Sequence, residues 1–145
     1  MKKSVFFIGI FALILLGTLG AEEKNLLPSL KAAETLNQQF FTLLSKGNVD
    51  QAFELMKPYT QVSAQEMDKL KETTQKQYQI LDRVFGPASG FKLVEKKNVG
   101  DCLARYTYLE LREKYPIRWL VVYYRPQLTW QTIILKWDIQ INSLF

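Results

Sequence analysis

The chain contains no histidine and one cysteine, Cys102, and those two counts narrow the chemistry it could carry. Without an imidazole there is no Ser-His-Asp or Cys-His activation of a nucleophile, and the ordinary catalytic zinc site goes with them. A lone cysteine closes no internal disulfide. Placed where a strand opens, Cys102 reads as a small buried apolar side chain. Arg105 and Arg118 are the polar residues of the last third suited to orient an anionic group. The plainer reading puts both at sheet margins, reaching water. Nothing in the sequence calls for a metal or a cofactor.

These residues depend on the elements that hold them. Ser29 reads as the N-cap of a first helix, whose Leu30, Ala33, Leu36, Phe40, Leu43 and Leu44 recur at helical spacing. Lys46-Gly47-Asn48 stops it, with Gly47 suited to a left-handed position. A short second helix starts at Asn48 or Asp50 and ends at Pro58. Ser63 and Glu66 form a capping box that opens a third helix to about Phe85, with Met67, Leu70, Tyr78, Ile80, Leu81, Val84 and Phe85 as its apolar positions. The polar run Lys71 to Gln77 is expected to face solvent. Gly86-Pro87 and Ser89-Gly90 then break the chain. Four strands follow: Phe91 to Val99, and three longer runs filling the stretch from Cys102 onward.

Turn lengths predict a register. A two-residue turn at Lys114-Tyr115 and a four-residue turn over Pro126 to Thr129 sort the side chains by period-two geometry. One face gathers Leu109, Leu111, Leu120, Val122, Ile133, Leu135 and Trp137, and is expected to lie under the helices. Arg105 and Arg118 fall on that side. The other gathers Tyr106, Tyr108, Trp119, Val121, Tyr123, Trp130 and Ile134, with Glu110, Arg112 and Lys136 among them. Since the helices cover one face only, the aromatic face is expected to meet a second copy, a partner or a ligand. Tyr106, Tyr108, Trp119, Tyr123 and Trp130 are the candidate contact residues.

This order of elements resembles the nuclear transport factor 2-like superfamily, with its cystatin-like fold and its ketosteroid isomerase and SnoaL-type members. The resemblance is carried by the helix begun by Gly47-Asn48-Val49-Asp50, the run Trp119-Leu120-Val121-Val122-Tyr123-Tyr124, and the Trp-containing strand that enters the terminal segment from Trp137 to Phe145. It covers roughly Leu30 to Phe145 and looks most like exported bacterial members without an assigned activity. The fold it implies is α+β: a cone-shaped, bent antiparallel sheet of about four strands packed by three N-terminal helices. A fold of this kind hosts many functions. Isomerases of the group pair a carboxylate base with a tyrosine, or with a carboxylic acid that burial keeps neutral, facing the developing oxyanion. Asp101, Asp138 and the strand tyrosines are the candidates here. Asp101 follows Gly100 and reads more naturally as a turn former. The neighbours of Asp138 do not reproduce the isomerase pattern, and no position matches a family catalytic motif.

The N-terminus carries Lys2 and Lys3, an apolar run from Val5 to Leu16, then Gly17 to Ala21 before charge resumes at Glu22. That is the order of a secretory signal. Cleavage after Gly20 puts Thr18 at the −3 position. The alternative is an uncleaved inner-membrane anchor, since Ser4 to Ala21 has no charge over 18 residues; the membrane enters as a partner only in that case. Residues 21–28 are expected to be a short linker and 29–145 one domain, located in the periplasm or outside the cell. Losing Lys2 and Lys3 lowers the net charge from +5 to +3 (17 basic against 14 acidic residues). No basic cluster is longer than Lys96-Lys97, so nucleic acid is not expected as a partner. The expected function is an exported, non-catalytic binding or scaffold domain. It would hold a small apolar ligand or an envelope protein, and form a homodimer through its sheet. An Asp/Tyr isomerase- or dehydratase-like enzyme is the alternative.

Overall fold

Helix α1 (Leu30–Ser45) begins where Ser29, in extended conformation, accepts a hydrogen bond from the backbone N–H of Ala32. It ends at Lys46, with Gly47 at φ 78° beyond it. The structure is a computed structural model that describes residues 24–145, so the expected signal segment lies outside the described residues. Helix α2 (Val49–Met56) runs into a 3-10 turn at Lys57–Tyr59, where Pro58 cannot extend the α-helix. Helix α3 (Ala64–Phe85) starts on the capping box of Ser63 and Glu66 and stops at Gly86, φ 82°.

The strands are β1 (Ala88–Val99), β2 (Leu103–Arg112), β3 (Ile117–Tyr124) and β4 (Gln131–Asp138). They pair antiparallel in chain order, so β1 and β4 are the edges of an open sheet. Three helices followed by this sheet make the fold α+β, as the sequence implies. Leu27 and Trp130 exchange backbone hydrogen bonds of 3.1 and 2.7 Å, which ties the segment before α1 to the start of β4. Among the described residues no helix is long and apolar enough to cross a membrane.

The register corrects the sequence in three places. Between β2 and β3 the pairs run from Leu103↔Tyr124 to Glu110↔Ile117, two residues away from the expected hairpin. An even shift leaves the sorting of β2 and β3 side chains intact. Between β3 and β4 the ladder carries a bulge: Tyr123 faces Thr132 and Val122 faces Ile134, leaving Ile133 unpaired. One extra residue reverses every side chain beyond it. Leu135 and Trp137 therefore join the aromatic side, opposite Val121 and Trp119, and Ile134 and Lys136 leave it. A second bulge, at Val94, breaks the simple alternation of β1: Phe91 and Leu93 lie on the face of Glu110 and Tyr108, but Glu95 pairs with Thr107 on the other.

The larger correction is which face lies inside. Phe40 of α1 meets the Trp119 ring edge-on at 5.6 Å, and Phe41 sits 4.2 Å from the Tyr108 ring. Tyr106, Trp119 and Tyr123 are fully buried, with Tyr108 and Trp130 nearly so. The aromatic face is the core, and the aliphatic face points away from the helices. Aromatic rings bury the largest area per residue, and here the Tyr106 and Tyr123 hydroxyls find partners on α1 and the Trp119 indole finds Glu110 on β2.

Two smaller expectations also change. Thr74, in the polar run expected to face solvent, is fully buried and accepts the Trp137 indole N–H at 2.9 Å. It completes an inward stripe of Met67, Thr74, Tyr78 and Leu81, and leaves Ile80 and Val84 exposed. Cys102 lies in the β1–β2 turn, half-buried, rather than in a strand.

Candidate functional site

The five aromatic residues expected on an open surface are brought together, but as core. The polar tips of two of them are fixed by α1 residues far away in the chain. Tyr123 donates to Asn37 Oδ1 at 2.7 Å. Tyr106 donates to Glu34 at 3.1 Å, and Lys96 reaches the same Glu34 oxygen at 2.5 Å. The Lys96 ammonium holds the Glu34 carboxyl below its ordinary range against the opposing effect of burial, and the Tyr106 hydroxyl adds to the lowering. Burial pushes the hydroxyls of Tyr106, Tyr108 and Tyr123 above the ordinary tyrosine range, and the Glu34 bond adds to this at Tyr106.

A polar cluster that the sequence did not reveal lies deeper. Glu110 and Arg112 point to the helix side of β2 with no exposed side-chain surface. Arg112 Nε donates to Glu110 Oε1 at 2.5 Å. Its Nη1 reaches Asp82 at 2.6 Å and the Gly86 carbonyl at 2.8 Å. The other Glu110 oxygen accepts the Tyr78 hydroxyl and, at 3.1 Å, the Trp119 indole N–H. The Arg112 guanidinium also stacks 5.0 Å from the Tyr78 ring centre. Burial opposes the charge of Arg112, but Asp82 and Glu110 outweigh it and raise its pKa. Burial together with the Glu110 carboxylate drives the Tyr78 hydroxyl far above its normal range. The cluster thus holds a carboxylate and a tyrosine in contact, with three donors already on the carboxylate. The one available signal was Glu110 and Arg112 sharing parity with the aromatic set.

The remaining candidates separate. Asp101 is exposed in the β1–β2 turn, 3.3 Å from Arg125. Asp138 ends β4 on the outer face and receives Arg118 through two bonds, Nε to Oδ1 at 3.0 Å and Nη2 to Oδ2 at 2.6 Å. Burial raises the Asp138 pKa, but Arg118 and the Gln140 N–H lower it further, leaving it below the usual range. Arg118 also meets Ser143. Arg105 pairs with Glu95 at 2.7 Å. Both arginines, expected toward the helices, lie on the outer face, each engaged by a carboxylate.

That outer face carries the aliphatic residues. Leu109, Leu120 and Val122 are half-buried at its centre, with Leu111 at 39% exposure, Ile134 at 40% and Val99 at 55% around them. The two ion pairs Glu95–Arg105 and Arg118–Asp138 lie across the same face, and Lys92, Lys97 and Lys136 stand exposed opposite Leu109, Arg105 and Leu120. The C-terminal residues Ser143 and Leu144 wall a groove of about 370 Å3 with Val94 and Leu109. No family model, no curated protein and no solved structure matches the chain.

Proposed function

We propose that the chain is an exported, non-catalytic scaffold domain of the nuclear transport factor 2-like kind, pairing with a second copy of itself through the outer face of its sheet. The observation that carries this reading is the partly exposed aliphatic patch of half-buried Leu109, Leu120 and Val122 with exposed Ile134. A sheet face with apolar residues at its centre is a liability in water and an asset when a matching face covers it. Self-pairing asks for a self-complementary patch. Aliphatic residues flanked by two internally neutralised ion pairs supply one, with the lysines at the margins, where their stems cover apolar surface and their charges stay wet.

The space between helices and sheet is occupied by Phe40, Phe53, Trp119, Tyr106 and Tyr123, which favours a partner at the surface over an apolar ligand inside. The isomerase-like reading has its best geometric support at Glu110 and Tyr78 rather than at Asp101 or Asp138. Three donors on Glu110 leave it poorly placed to accept a substrate proton.

Light scattering on the chain from Ala21 onward tests the proposal. A dimer is expected at micromolar concentration, and Val122→Glu combined with Ile134→Glu is expected to give a folded monomer. A wild-type chain that stays monomeric, or a double variant that associates equally well, would sink it.

A further inference from the structure

On the helical side of the sheet, a groove of about 620 Å3 runs between the α1–α2 turn and α3. Four side-chain amides line it. Asn48 and Gln51 come from the start of α2, and Gln75 and Gln79 come from α3, one turn apart and so on the same face. Among the described residues none of the four amide groups has a hydrogen-bond partner: Asn48 does not cap its helix, and Gln79 bonds only through its main-chain carbonyl. Each offers donors and acceptors together. Two carboxylates complete the lining: exposed Asp50, 3.5 Å from the Lys71 ammonium, and half-exposed Asp82, of which Oδ1 alone is taken by Arg112. Tyr78 borders the groove but is only 8% exposed, with its ring turned inward under Arg112, and among the described residues no lysine or arginine lines the groove.

The buried cluster described above holds this groove from beneath. Glu110 fixes the Tyr78 hydroxyl, and Arg112 both stacks on the Tyr78 ring and pins Asp82. A buried ion pair contributes little stability relative to an apolar packing of the same volume. Here it also fixes two groove residues in place, which is what a preformed site requires.

We infer that this groove is a binding site for a neutral saccharide. A sugar presents adjacent hydroxyls, each both donor and acceptor, which is the chemistry that unspent amides and a carboxylate edge satisfy. A lining without cationic residues works against phosphate, sulfate or any other anionic ligand. The inference is independent of self-pairing, because the groove and the outer sheet face lie on opposite sides of the sheet.

The test is a titration of the chain from Ala21 onward with maltotriose, cellotriose and N,N′-diacetylchitobiose, followed through the side-chain amide resonances of Asn48, Gln51, Gln75 and Gln79. At least one sugar is expected to shift these resonances saturably in the millimolar range or tighter. Gln75→Ala with Gln79→Ala is expected to weaken that binding by about tenfold, the loss of roughly 1.4 kcal/mol, with the melting temperature unchanged. Three outcomes would overturn it: no sugar shifts these resonances, the double variant binds as wild type, or glucose 6-phosphate binds better than the neutral sugars.

Discussion

Trp137 lies directly opposite Trp119 across β3 and β4, with ring centroids 6.3 Å apart. It is there because Ile133 is one residue too many for the ladder. Remove the bulge and Trp137 would point to the outer face, away from Tyr78 and the Thr74 hydroxyl that receives its indole N–H.

Deletion of Ile133 is therefore expected to destabilise the chain far more than the loss of one side chain. Either the bulge is forced onto a neighbour, or Leu135 and Trp137 leave the core, at about 1.5–3 kcal/mol for each large apolar side chain exposed. Ile133→Ala, which keeps the extra residue, is expected to be much milder. Urea unfolding compares the two, and a deletion variant with a near wild-type midpoint would contradict the role given to the bulge.

The Glu110–Arg112 pair is expected to behave as a unit. Glu110→Ala strands the guanidinium and should cost about 3–5 kcal/mol, as should Arg112→Ala. Replacing both, as Glu110→Leu with Arg112→Met, is expected to cost less than either single change. A double variant as damaged as the sum of the singles would show that the two residues act independently.

Tyrosine ionisation gives a signed pH dependence. Tyr78, Tyr106, Tyr108 and Tyr123 have folded pKa values raised above the ordinary value, chiefly by burial. Above about pH 10 the unfolded chain releases these protons and the folded chain keeps them, so stability present at lower pH is lost as pH rises. In an ultraviolet titration these four of the seven tyrosines are expected to ionise only together with unfolding. Smooth ionisation of all seven in a folded chain would refute their burial.

The acid side runs the other way. Lys96 holds Glu34 below its ordinary range against burial; at Asp138 burial raises the pKa, but Arg118 and the Gln140 N–H outweigh it. The contribution of both carboxylates is complete above about pH 4–5 and is lost as pH falls through the lowered folded values. Lys96→Met is expected to shift the acid unfolding midpoint upward, read by circular dichroism. An unmoved midpoint would remove the Glu34–Lys96 contact from the account.

The helices were legible because their signals are local. Ser29, Gly47, Pro58 and the Ser63–Glu66 box act within a turn of themselves, and each falls where the structure puts a helix end. Thr74 was not legible, since nothing near it announces a tryptophan 63 residues later. The cluster at Glu110 had the same difficulty: its partners come from α3 and β3, so only the closed fold shows that two charges among aromatics are buried against each other rather than exposed.

By itself the sequence determined the order of elements, the absence of histidine chemistry, and the parity that separates aromatic from aliphatic residues on β2 and β3. Parity survives because a two-residue error in register leaves every side chain on its own face. It failed on β4, where Ile133, Ile134 and Leu135 are consecutive and apolar, so alternation could not locate the bulge. Only the tertiary structure decided which face is the core. Both faces carry enough apolar surface to be buried. The choice turned on whether the tyrosine and tryptophan tips meet hydrogen-bond partners, and Glu34, Asn37, Thr74 and Glu110 meet them only once the chain has closed.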